Sequence, residues 1–153
     1  MNRKLFLPAC ILFVMLISCN KESHIESFKI SYVYAGFNVN YYSATLDETG
    51  AMQVLESNYL SGLTRENSYR INDTLVRDIR SSLQQLTTIN LKDSYGFGDN
   101  KPFDMPVTRL VYTSNIKSDS TVVYMPEENE LPEEYVSFMG VLINCIARVD
   151  TLR

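Results

Sequence analysis

Phe28-Lys29-Ile30-Ser31-Tyr32-Val33-Tyr34 decides the fold class, because Phe28, Ile30, Tyr32 and Tyr34 fall on one side and Lys29 and Ser31 on the other. A period of two marks a strand with one buried face. Reading forward, Gly36-Phe37-Asn38 looks like a turn, and Val39 to Asp47 is rich in the β-formers Tyr41, Tyr42, Thr45 and Leu46. Asp47-Glu48-Thr49-Gly50 then supplies a hairpin connection, with Gly50 suited to a positive φ. Ala51 to Glu56 is a third strand with Met52 and Val54 inward, Asn58 to Asn67 is irregular, and Ser68 to Ile71 adds a short fourth strand.

The period then changes. Asn72 or Asp73 caps a helix in which Leu75, Val76, Ile79, Leu83 and Leu86 recur at helical spacing. Arg77 and Arg80 lie off that stripe and read as a solvated face rather than a phosphate site. Asn90 to Pro106 is a long loop, and Val107 to Thr113 and Ser120 to Met125 are strands around the polar turn Asn115 to Asp119. A final helix starts at Pro132 and runs to about Val149. Its apolar residues Val136, Met139, Leu142, Ile143 and Ile146 cover so much of the circumference that it should pack across the sheet. Strands, helix, strands, helix predicts an α+β domain over residues 28–150, with a mostly antiparallel sheet and the helices packed on one face.

Reading backward from Phe28, Asn20 to Ser27 is a polar linker that spans at most ~28 Å when fully extended. Before it, Asn2-Arg3-Lys4 is basic and Leu5 to Ile17 is apolar, a run shorter than the ~20 residues a bilayer-spanning helix needs. This is the pattern of a cleaved leader, yet no A-x-A-like site follows it. Leu16-Ile17-Ser18-Cys19 instead resembles the lipobox of bacterial lipoproteins. The resemblance implies diacylation of the Cys19 thiol, removal of residues 1–18, a tether over 19–27 and acylation of the new amino terminus. Each buried methylene contributes ~0.8 kcal/mol and one chain holds only marginally, so two or three chains make a stable anchor. Asn20, where inner-membrane retention signals carry Asp, implies the outer membrane. Lys21-Glu22 is similar to the export signal of Bacteroidetes surface lipoproteins; whether the domain faces the periplasm or the outside stays open.

Loss of the leader removes Arg3 and Lys4, leaving 12 basic against 18 acidic residues, a net of −6. Such a balance does not suit nucleic acid, and it offers anionic lipid no attraction beyond the acyl chains. Of the three cysteines, Cys10 leaves with the leader, Cys19 is acylated, and Cys145 remains alone in an apolar helix. No intramolecular disulfide can then form. Cys145 reads as a small buried hydrophobe, since the one histidine, His24, lies in the tether and provides no base.

Lys92 to Asp104 is the candidate binding loop, with Tyr95, Phe97 and Phe103 beside Asp99 and Asp104. Aromatics with carboxylates suit sugar stacking and hydroxyl hydrogen bonds, or anchoring of a protein partner. The bland alternative is a crossover whose aromatics cover the sheet edge. Asp93, Asp99 and Asp104 lack the spacing of a calcium loop. The acidic run Glu127, Glu128, Glu130, Glu133 and Glu134 is explained by the dipole of the helix it precedes. Histidine-based catalysis, zinc sites and phosphate loops are absent as patterns, so no cofactor or metal is expected. Asp73-Thr74-Leu75, Asp119-Ser120-Thr121 and Asp150-Thr151-Leu152 each resemble the Bacteroidetes O-glycosylation motif, and Thr151 in the tail is the best placed.

Asn40-Tyr41-Tyr42-Ser43-Ala44-Thr45-Leu46 followed by Gly50, the amphipathic helix, and Asp104-Met105-Pro106 before a strand resemble an uncharacterised Bacteroidetes lipoprotein domain. The similarity spans roughly Phe28 to Val149, and Val39-Asn40 departs from it where a cysteine and proline often stand. It implies no activity. The expected role is a non-catalytic binding or assembly domain of an outer-membrane lipoprotein, held by acyl chains on Cys19 and engaging an envelope protein or glycan. A carboxylate-dependent envelope glycan hydrolase is the alternative.

Overall fold

A computed structural model describes residues 24–36, 40–58, 60–96, 106–124 and 130–150. In chain order these form β1 (Phe28–Ala35), β2 (Asn40–Asp47), β3 (Ala51–Asn58), β4 (Leu63–Arg70), α1 (Asp73–Leu86), β5 (Ser94–Gly96), β6 (Val107–Ser114), β7 (Ser118–Tyr124) and α2 (Glu133–Asp150). The fold is α+β, with one seven-stranded sheet ordered β4-β3-β2-β1-β6-β7-β5. Every neighbouring pair is antiparallel except β5 with β7.

The sheet is larger than the sequence reading gives. β4 is a full strand, paired with β3 from Leu63 opposite Asn58 to Arg70 opposite Ala51, where an irregular stretch and a short strand were expected. As an edge strand it has one neighbour and little buried surface, so its polar sequence carries no inward alternation to read. β5 lies inside the segment expected to be a loop. Gly96 makes that pairing possible: its φ is 90°, and a Cβ there would stand 1.8 Å from the Tyr124 carbonyl oxygen.

The β2–β3 hairpin turns as expected. The Asp47 carboxylate accepts from the Thr49 N–H, the Thr49 hydroxyl and the Ala51 N–H, and Gly50 adopts φ 79°. Gly50 also receives the chain entering α1, its carbonyl accepting from the Ile71 N–H. Asn72 caps α1, its side-chain oxygen accepting from the Leu75 N–H at 2.9 Å.

The inward residues of β1, β2, β3, β6 and β7 form one cluster with the buried residues of both helices. From α1 come Val76, Ile79, Leu83 and Leu86. From α2 come Tyr135, Phe138, Met139, Leu142, Cys145, Ile146 and Val149. The inward arc of α2 is rotated from the expected one: Val136 and Ile143 are 53% and 48% exposed, because the larger Tyr135 and Phe138 take the buried arc. Burial pushes the Cys145 thiol up to about 11, against a smaller lowering by Arg148.

Packing begins before Phe28. Ile25 is buried and its N–H donates to Gln84 Oε1, while Asn115 accepts from the Glu26 N–H and donates to the His24 carbonyl. Residues 24–27 therefore belong to the domain rather than to a free tether. Among the described residues no helix is long and apolar enough to cross a membrane.

Candidate functional site

Register sorts the inward face of the sheet into rows. Tyr112, Ile30, Leu46, Met52 and Tyr69 stand opposite one another across β6, β1, β2, β3 and β4, and the next row is Leu110, Tyr32, Ala44, Val54 and Asn67. These two rows hold most of the buried sheet. One step further the row reads Thr108, Tyr34, Tyr42, Glu56 and Arg65, and beyond it Asn40, Asn58 and Leu63. The same face has changed from apolar to aromatic and charged.

At this end Asn40, Tyr41, Tyr42, Glu56, Ser57, Asn58, Leu63 and Arg65 line an open cleft of about 340 Å³. The Tyr42 ring makes an edge contact with Tyr32, centroids 6.4 Å apart and planes at 61°, which fixes one wall against the core. Burial raises the Tyr32 phenol pKa, partly offset by its hydrogen bond to Thr108. Asn58 braces the rim: its amide donates to Asn40 Oδ1 at 2.8 Å, and its Oδ1 accepts from the Ser61 N–H at 2.9 Å. Tyr41 is 41% exposed and Leu63 62%. Rings, a carboxylate, a guanidinium and fixed amides together can stack on a flat apolar face and hydrogen-bond the hydroxyls around it.

The loop that sequence singles out does not supply this surface. Tyr95 is only 5% exposed: its hydroxyl accepts from the Lys92 N–H, the Lys92 ammonium lies 5.6 Å from its ring centroid, and the ring packs 6.4 Å from that of Tyr135. It is a core residue of β5. Phe97, Asp99, Phe103 and Asp104 lie outside the described residues, as do Cys19 and Thr151. Glu133 and Glu134, in the first turn of α2, line a separate shallow hollow with Gln85, Thr88 and Ser137. Sequence reasoning passed over Tyr42, Glu56 and Arg65, although the alternation Asn40, Tyr42, Ala44, Leu46 signals an inward face turning polar at one end.

Among the described residues no group of three or more His, Cys, Asp and Glu side chains gathers in a way that could hold a metal. Compared with known proteins, the chain matches no family model and no curated protein.

Proposed function

We propose that the mature chain is an outer-membrane lipoprotein, held by acyl chains on Cys19, whose domain binds an envelope glycan without catalysing its turnover. The observation that carries the binding role is the row Tyr34, Tyr42, Glu56 and Arg65, aromatic and charged on the face that elsewhere forms the core. Both helices lie on that inward face, and they leave this end uncovered. The Arg80 guanidinium over the Phe28 ring and the shared cluster support that placement. The anchor rests on the lipobox resemblance and the leader before it.

Two measurements test the reading. Membrane fractionation of Cys19→Ala should move the chain to the soluble fraction, and continued retention overturns the anchor. Calorimetry of the native chain with envelope polysaccharides and peptidoglycan fragments should give binding that Tyr42→Ala and Arg65→Ala each weaken about tenfold, as for an anchor residue worth more than ~1 kcal/mol. Binding to a polypeptide instead reassigns the partner. Glycan turnover abolished by Glu56→Gln replaces the binding role with hydrolysis.

A further inference from the structure

A second hollow, of about 730 Å³, separates the entering chain from α1. His24 and Glu26 form one wall, and Arg77, Arg80, Ser81 and Gln84 the other. Arg77 is exposed, and the half-buried Arg80 rests its guanidinium 5.9 Å from the Phe28 ring centroid, with its Nε shielded and without a hydrogen bond. Neither arginine makes an ion pair among the described residues. Glu26 is the one carboxylate in the walls; on α1 itself Asp78 follows Arg77 in sequence and Asp73 lies a turn before it, and neither is in ion-pair contact with Arg77 or Arg80.

The entry point of the chain gives this hollow its occupant. His24 is fixed through its carbonyl to Asn115, and Ile25 through its N–H to Gln84, so the chain leaves the domain at the groove wall. Cys19 is five residues away, at most ~18 Å of extended chain. Charge reaches ~8 Å at physiological salt, so the groove comes within range of headgroup phosphate when those five residues are less than fully extended. Guanidinium groups bind phosphate through paired, charge-assisted hydrogen bonds, and these two have no protein carboxylate bound to them.

We propose that the His24–Arg77–Arg80 groove takes the phosphates of lipid headgroups and seats the domain on the bilayer beside its own anchor; this rests on the acylated-Cys19 reading above. The net charge of the mature chain repels an anionic surface, so the arginine pair beside the anchor, rather than the surface as a whole, would supply the attraction and fix an orientation. Phe28 begins β1 beside the groove and Tyr34 lies near its other end, six residues or ~20 Å along the strand. Seating the groove on lipid turns the tyrosine cleft away from the membrane.

The test uses the full acylated chain carrying Ser81→Cys, labelled with an uncharged maleimide. Cys145 is buried and does not compete. Vesicles of mixed phosphatidylglycerol and phosphatidylcholine should slow labelling on the order of tenfold relative to a phosphate-free neutral detergent, given two cations near an anionic surface. Arg77→Gln with Arg80→Gln should abolish the slowing, and Arg77→Gln alone, which leaves the Phe28 contact intact, should remove a large part of it. Ser68→Cys, exposed on β4, should label equally in both media. Undiminished slowing in the double variant, or none in vesicles that carry the chain, overturns the lipid contact. Equal slowing by inorganic phosphate in detergent reassigns the groove to free phosphate and also overturns it. Flotation reports the anchor separately: a chain that does not float refutes acylation and this proposal with it.

Discussion

Asp47 shows how much one side chain can do at a turn. Its carboxylate holds three donors, and the hydrogen bond from the Thr49 hydroxyl, with smaller help from the backbone N–H groups of Thr49 and Ala51, keeps its pKa below the ordinary carboxylate range. A depressed folded-state pKa means that the stabilisation is complete above the unfolded value near ~4 and fades as pH falls through the folded one. Asp47→Ala should therefore cost about 1 kcal/mol at neutral pH, and urea titrations should show its deficit against the parent chain shrinking below about pH 4. Tyr95 teaches the opposite lesson about a single residue. An aromatic in a long, polar segment looks available for a ligand, but pairing of Ser94–Gly96 with β7 puts its ring in the core.

At the scale of elements, legibility follows from what each element buries. β1, β2, β3 and α1 bury one face and write it as a period of two or of 3.6, so they can be read directly, whereas α2 is apolar over so much of its circumference that its sequence marks a helix without marking the buried arc. β4 buries almost nothing, and β5 is three residues long and held by a parallel partner more than twenty residues downstream, so neither leaves a local pattern. The candidate cleft was hidden for a related reason. Tyr42, Glu56 and Arg65 come from three strands, and only the register brings them into one row. Two substitutions probe the element scale. Gly96→Ala forces a Cβ against the Tyr124 carbonyl at positive φ, and should release β5 at a cost of about 1–3 kcal/mol in chemical denaturation, with Tyr95 more accessible to solvent. Asn72→Ala removes the α1 cap and should cost about 1 kcal/mol by the same assay.

Across the whole molecule the sheet order makes β1 the central strand, flanked by β2 and β6 and covered by the main cluster, while β4 and β5 form the edges. Native-state hydrogen exchange should follow that order, with the slowest amides in β1 and β6 and faster opening along the free side of β4. Central position has a mechanical side as well. Tension transmitted through the residues before His24 enters the sheet at Phe28 and runs along β1. The ladders to β2 and β6 stand perpendicular to the strand and so bear the load together, in shear, rather than unzipping one rung at a time. Pulling from residue 24 should need a larger rupture force than peeling β4 from its free edge, because a load entering at β1 meets two ladders at once and a load on β4 meets one.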